Sequence, residues 1–252
     1  MTQRKVISFD NIRVACKNCT LSQLCLPMGL LPEDVDRLDS IVKRSRPLHR
    51  GDHLFRSGER FRSLYVVKTG SVKTYTPSEE GGEQVLGFHL PGEIIGLDAI
   101  DQDAHACSAK VLETSAICEV PFQRFEELSS NIPSLQHAMF RLLSKEIGHD
   151  AEMLLLLGKK NAEERLAAFL VSMSQRLSKR GLSPTDFYLS MSRHEIGNYL
   201  GLAVETVSRL FTRFQDEGLV KVDRKHVEIL DLPTIEGLAG ASPAPGNRRQ
   251  SH

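Results

Sequence analysis

The chain has 252 residues, its 32 Lys+Arg balance 32 Asp+Glu, and hydrophobic residues make up 40% against 25% charged. That balance excludes a mostly disordered chain, a collagen and a coiled-coil rod. Apolar runs such as Met153 to Leu157 fall far short of the ~20 residues a membrane-spanning helix needs, so no membrane partner is expected. The start, Met-Thr-Gln-Arg-Lys-Val, lacks the apolar core of a signal peptide and points to the cytoplasm. The length suggests two domains. The zero charge is a sum of unlike parts: residues 1–158 hold 18 basic and 21 acidic side chains, residues 159–252 hold 14 and 11.

Residues 1–30 read as a cysteine-rich segment closed by Pro27, Gly29 and Pro32. Cys16, Cys19 and Cys25 form a C-x2-C-x5-C run, and the remaining cysteines are Cys107 and Cys118. An odd count in a reducing compartment argues against a disulfide framework. Packing cysteines scatter with the hydrophobic pattern, whereas three thiols on one short loop, with a fourth from elsewhere, can enclose a soft-metal centre. Zinc and an iron–sulfur cluster both fit this spacing, and sulfur donors exclude magnesium and calcium. The nine histidines share no ligand spacing; His89, His105 and His149 read as solvated or core residues.

Residues 33–44 fit a short helix with Val35, Leu38, Ile41 and Val42 on one face. From Arg46 to Pro121, short apolar runs alternate with glycine turns: Leu64 to Val67, Val85 to Phe88 and Ala116 to Val120 are strands of an antiparallel roll. Phe122, Phe125 and Leu128 mark a short helix ending near Asn131, and a longer helix follows. On it Phe140, Leu143, Ile147, Asp150, Leu154 and Leu157 step by three and four, a heptad seam suited to helix pairing. The plainer alternative is packing on the chain's own roll. Asp150 interrupts the seam, so pairing would bring two carboxylates together and weaken the dimer. Gly158 to Asn161 is a candidate boundary, and residues 162–179 form an amphipathic helix with Leu166, Phe169, Leu170, Met173 and Leu177 apolar.

Ser192 and Glu195 make an S-x-x-E capping box. The helix it starts stops at Gly201, and a second begins near Val204. Two short helices joined by a glycine turn are a helix-turn-helix. On the second, Val207, Leu210, Phe211 and Phe214 face inward, while Glu205, Ser208, Arg209 and Thr212 share the opposite face, flanked by Thr206 and Arg213. Arginine can grip guanine, glutamate can accept from cytosine, and serine can bond to either, so double-stranded DNA is the expected partner. Leu219 to Leu230, with a polar turn at Asp223–Lys225, reads as a hairpin wing, and residues 241–252 as a disordered tail.

Long segments now carry a family resemblance: Cys16-Lys17-Asn18-Cys19 with Leu24-Cys25, Gly87 to Glu93, Leu112 to Glu119, Lys159 to Arg165, and Ile196 to Arg209. Over residues 12–240 the chain resembles the fumarate-and-nitrate-reduction regulators, a branch of the cyclic-AMP receptor superfamily. The resemblance implies an α+β fold: a cysteine segment (1–30), an N-terminal antiparallel β-roll (31–132), a long dimerisation helix (133–158), and a C-terminal winged helix-turn-helix (159–240). It implies a transcription regulator rather than an enzyme, with an oxygen-labile [4Fe-4S] cluster on Cys16, Cys19, Cys25 and Cys118, and with Cys107 left over. A cluster-loaded homodimer would read palindromes of the form TTGAT…ATCAA through Glu205, Ser208 and Arg209, and RNA polymerase would be its partner at promoters of anaerobic metabolism. Assembly of the cluster would clip the N-terminal loop to the roll and bias the seam toward pairing. The alternatives are a cyclic-nucleotide-responsive regulator of the same fold and a structural zinc protein. Residues 98–105, which follow the Pro91–Gly96 loop, carry three aspartates and no arginine. A cyclic phosphate would find no bidentate partner there, and no cyclic nucleotide is expected.

Overall fold

In the computed structural model, which describes residues 15–77 and 82–240, the cysteine segment is a chain of tight turns. The carbonyls of Cys16, Cys19 and Cys25 each accept the N–H three residues on, and Cys16–Asn18 is a single 3-10 turn. Helix α1 follows at Pro32–Ile41, opened by proline, with Glu33 and Asp34 in its first turn, where carboxylates favour the helix dipole. Val35 and Leu38 are its buried face. The helix stops short of the expected residue 44: Val42 is extended, and Lys43–Arg44 form strand β1. The cause is tertiary, because Lys43 and Arg44 pair with Glu119 and Cys118 of the roll.

The remaining strands of the roll are β2 (His53–Phe55), β3 (Ser63–Thr69), β4 (Val72–Pro77), β5 (Glu83–His89), β6 (Ile94–Ile95), β7 (Ser108–Val111) and β8 (Ala116–Pro121). They form two four-stranded antiparallel sheets, ordered β1-β8-β3-β6 and β2-β7-β4-β5. Phe55, Val67, Val72, Ile95, Ala109, Val111 and Ile117 fill the space inside the roll. His105 belongs to this packing: its ring stacks on Phe55 with centroids 3.5 Å apart. A second core joins the β1-β8-β3-β6 sheet to α1, to α2 (Phe122–Ser129) and to the first half of α3 (Pro133–Lys159). Leu26, Leu38, Leu64, Val120, Phe125, Leu135, Met139 and Leu142 are its centre.

By its contacts the chain divides into two compact units, Met1–Ile147 and Gly148–His252, with the division inside α3. The reason is visible along α3, whose buried residues end at Leu142. Gly158–Asn161 marks the break between α3 and α4 (Ala162–Ser178), where Asn161 and Glu164 form a reciprocal capping box.

The second unit continues with β9 (Asp186–Tyr188), α5 (Arg193–Leu200), α6 (Val204–Asp216), β10 (Val220–Asp223), β11 (His226–Ile229) and α7 (Leu232–Leu238). The expected wing is present as β10 and β11, with β9 added as a third antiparallel strand on β11. The expected tail at 241–252 and the first 14 residues of the cysteine segment lie outside the described residues. Among those described, no helix is long and apolar enough to cross a membrane.

Candidate metal centre and nucleic-acid interface

Four of the five thiols meet in one place. Cys16, Cys19 and Cys25 from the turn segment and Cys118 from β8 line a single cleft, together with Leu21, Leu26, Leu38, Val66, Lys68 and Val120. They border it without converging: among the described residues, no three His, Cys, Asp or Glu gather as ligands of a single ion. No disulfide joins them.

The surroundings are hostile to an uncompensated thiolate. Burial pushes the Cys16 thiol up to about 12, helped by its hydrogen bond to the Asp39 carboxylate. Burial raises Cys25 further, and the neighbouring thiols Cys118, Cys16 and Cys19 add to the effect. Cys118 is raised by burial too, against the opposing charges of Arg44 and Lys68. Four soft donors line a largely apolar cleft, and burial makes Cys16, Cys25 and Cys118 costly to ionise alone; such a set suits a cationic soft-metal group that takes all four as thiolates.

Two further residues fix the turn that carries Cys16. The Cys16 backbone N–H donates to Asp39 Oδ1 at 2.7 Å. Arg44 pairs with the same carboxylate, and its Nη2 donates to Cys16 Sγ at 3.5 Å. Burial disfavours the Asp39 carboxylate, yet the bonds from Cys16 and Arg44 hold it below the usual range. Lys17 adds an exposed ion pair to Asp36.

Beyond Cys25, Leu26 is only 2% exposed and packs into the core with Leu135, Met139 and Leu142 of α3. Arg141, on the same helix, donates from Nη2 to the Met28 carbonyl at 2.9 Å. The cysteine segment is thereby bound to α3 by both an apolar and a polar contact. Sequence reasoning singled out none of Asp39, Arg44, Leu26 or Arg141. Arg44 carried a signal only in retrospect, as a charged residue at the junction of a helix and a roll.

Cys107 stands apart. It is buried, its thiol approaches Asp98 Oδ2 at 3.5 Å, and burial followed by the Asp98 charge raises it to about 12. Asp98 also accepts the backbone N–H groups of Ala106 and Cys107 and faces His105. The segment after the Pro91–Gly96 loop thus presents a carboxylate, already satisfied by its own chain.

Most of the stripe expected to pair lies off the face that α3 uses against its own roll. Leu135, Ala138, Met139 and Leu142 are buried, whereas Phe140, Ile147 and Leu154 are 58%, 69% and 73% exposed. Asp150 is exposed, Leu143 half-buried against the second core, and Leu157 at the edge of exposure. Own-roll packing accounts for Leu143 but leaves Phe140, Ile147 and Leu154 exposed.

In the second unit, Ser192 and Glu195 form the expected reciprocal box at the start of α5. Gly201 ends that helix at φ 63°, a left-handed conformation that favours glycine. Gly197 is required for a different reason: a Cβ there would lie 2.6 Å from the Leu202 carbonyl oxygen. Inside α6, Val207, Phe211 and Phe214 are buried and Leu210 half-buried, while Glu205, Ser208, Arg209 and Thr212 are exposed on the other side and Thr206 partly so. The Arg193 guanidinium lies 3.4 Å from the Phe211 ring centroid, bracing α6 on α5. Burial lowers that guanidinium to about 10. Arg213 is engaged differently from its neighbours, donating to Glu217 at 2.7 Å and to Glu163 of α4 at 3.0 Å. Arg165 of α4 binds three carbonyls: Lys160 and Leu157 at the end of α3, and Leu200 at the end of α5.

A β-roll, an exposed helix seam and a winged helix-turn-helix define a DNA-binding transcription regulator of the cyclic-AMP receptor type. Residues 45–131 match the cyclic nucleotide-binding domain and residues 164–238 the Crp-like helix-turn-helix domain. The chain is 53% identical over 227 residues to the transcriptional activator protein Anr of Pseudomonas protegens, covering 90% of this chain and 93% of that one. It is 47% identical over 227 residues to the fumarate and nitrate reduction regulatory protein of Escherichia coli, covering 90% and 91%. Among solved structures, that of FixK2 from Bradyrhizobium japonicum is similar with a TM-score of 0.74 and 27% identity, over 80% of this chain and 99% of that one. The chain belongs to the fumarate and nitrate reduction regulator family of transcription regulators.

Proposed function

We propose that this regulator is oxygen-responsive: Cys16, Cys19, Cys25 and Cys118 hold a [4Fe-4S] cluster, loaded chains pair along α3, and the pair binds palindromic promoter sites of the TTGAT…ATCAA type. The carrying observation is the meeting of four thiols from two distant stretches of chain in one cleft. Donors spread around a cleft suit a group of several irons better than one zinc ion, whose four thiolates must lie ~2.3 Å from a single point. The names of the relatives, an activator and a fumarate and nitrate reduction regulator, favour control of anaerobic metabolism genes. When bound, such a cluster supplies the oxygen-labile centre.

The chain's own residues do the rest. The four thiolates tie the turn segment to β8, Leu26 and Arg141 carry that order to α3, and Phe140, Leu143, Ile147, Leu154 and Leu157 meet their copies in a second chain. Asp150 opposes that pairing, which keeps it conditional. Two α6 helices about one DNA turn apart suit a palindrome. Glu205, Ser208 and Arg209 read bases, with Thr206 and Thr212 beside them. Arg213, held by Glu217 and Glu163, braces α6 and reaches DNA only by releasing one of them. With a net of only +3 in residues 159–252, the salt-sensitive grip on phosphates is modest and base contacts carry discrimination. The regulator works in the cytoplasm with RNA polymerase. It takes no cyclic nucleotide, because the self-satisfied Asp98 carboxylate would repel a phosphate.

Anaerobic reconstitution followed by iron and sulfide analysis tests this. Four irons and four sulfides per chain, lost in Cys118→Ala but kept in Cys107→Ala, are expected. A single zinc with no sulfide would refute the cluster. Arg209→Ala is expected to bind the palindrome with relaxed base preference, and an unchanged preference would remove the readout assignment.

A further inference from the structure

Arg44 occupies an unusual place relative to the four thiols. It lies on β1 directly across the ladder from Cys118, and its Nη2 reaches Cys16 Sγ at 3.5 Å. The one side chain therefore joins the first thiol of the turn segment to the strand that carries the remote one. Its charge is neutralised and its direction fixed by Asp39, which also accepts the Cys16 backbone N–H. The guanidinium is largely buried, and its Nε is a buried donor with no hydrogen-bond partner among the described residues. An orphaned buried N–H is costly.

We propose that Arg44 is a positioning residue of the metal centre: it donates N–H bonds to the Cys16 thiolate, and with Asp39 it sets how tightly iron is retained and the potential of the bound group. Outer partners of this kind orient ligands and tune a metal site, and hydrogen bonds to sulfur shift the potential of iron–sulfur groups. Donation to sulfur stabilises the more negative, reduced state, so removing the donor lowers the potential. The planar fork of arginine can serve Asp39 and Cys16 together, which a lysine point charge cannot do. The proposal rests on the cluster reading above.

The test compares wild type, Arg44→Met, Arg44→Lys and Lys43→Gln as full-length, anaerobically reconstituted protein. Lys43 neighbours Arg44 and pairs with Glu119 at the surface, which makes Lys43→Gln the control. Three readouts are taken: anaerobic iron loss to a chelator, the iron–thiolate stretching bands in resonance Raman spectra, and the midpoint potential. Arg44→Met is expected to load the same iron and sulfide but lose iron roughly ten- to hundred-fold faster, with shifted bands and a lower potential. Arg44→Lys shows smaller changes in the same directions, and Lys43→Gln matches wild type. Wild-type iron loss and bands in either Arg44 variant would overturn the proposal, as would equal damage from Lys43→Gln. Should Arg44→Met fail to fold, Arg44→Lys still decides it. Wild-type protein that takes up no iron and sulfide would remove the cluster reading itself, a different failure.

Discussion

Ile147→Ala separates pairing from folding. Ile147 is 69% exposed in the protomer, so removing its outer three carbons leaves the chain's own core intact, and surface changes of this kind stay within about 0.5 kcal/mol of stability. In a pair, each carbon buried contributes about 0.8 kcal/mol. Three carbons at that exposure amount to roughly 1.7 kcal/mol per chain, and a symmetric interface loses it twice, about 3 kcal/mol. At tenfold per 1.4 kcal/mol, the dimer dissociation constant should rise about a hundredfold or more. Sedimentation velocity across a concentration series of anaerobically reconstituted protein measures this, with thermal unfolding of the metal-free protein as the control. A dimer constant within threefold of wild type would refute pairing along this seam.

Three other substitutions probe the remaining links. Asp150→Ala removes a like-charge pair, and the metal-free protein is expected to dimerise roughly ten- to hundred-fold more tightly by sedimentation; an unchanged monomer fraction would remove Asp150 from the seam. Arg165→Ala deprives three helix-end carbonyls of a charged donor and should destabilise the second unit by roughly 2–4 kcal/mol, read as a lower Tm and weaker DNA binding at unchanged iron content. In Gly197→Ala the new methyl meets the Leu202 carbonyl, so the helix-turn-helix must shift at a cost of roughly 1–3 kcal/mol, seen as a loss of DNA affinity that exceeds the loss of secondary structure by circular dichroism.

What the sequence discloses and what it hides divide by range. The turn between α5 and α6 is legible because its signals are local: Ser192 and Glu195 three apart, and Gly201 where the backbone needs a positive φ. The strands β3, β5 and β8 show as apolar runs between glycine turns. Strand β9 does not, since only Phe187 of its three residues is buried and one apolar position defines no alternation. The end of α1 is misread for the opposite reason. Ile41 and Val42 continue a helical stripe, and only the pairing of Lys43–Arg44 with β8 turns the chain extended there. The thiols are legible as a group through spacing on the loop, but Cys118 joined them through family resemblance. Asp39 and Arg44 are not legible as site residues because the thiol-bearing residue they hold, Cys16, lies 23 and 28 residues away, and no local pattern encodes so distant a contact.

The same long-range contacts give the cluster reading a physical route to the pairing helix. Cys25, Cys118 and the seam residue Leu143 all pack against one core, whose centre includes Leu26 from the loop and Leu135, Met139 and Leu142 from α3. Arg141, next to Phe140 of the seam, adds its bond to the Met28 carbonyl. Its Nε is buried without a partner among the described residues, so the polar half of the link leaves a donor unsatisfied and is not fully bound. A loop fastened at Cys25 and Cys118 holds Leu26 in that core. A loop released at those thiols keeps only the strength of Leu26 and Arg141 against the entropy of an open turn segment, about 1–2 kcal/mol per residue freed. The four-residue buried face of α3 keeps the helix on the roll in either case. Only its exposed face and the placement of Phe140 and Leu143 are left to vary, and the proposed pairing, which Asp150 would oppose, would need no more than a few kcal/mol of bias to change which state prevails.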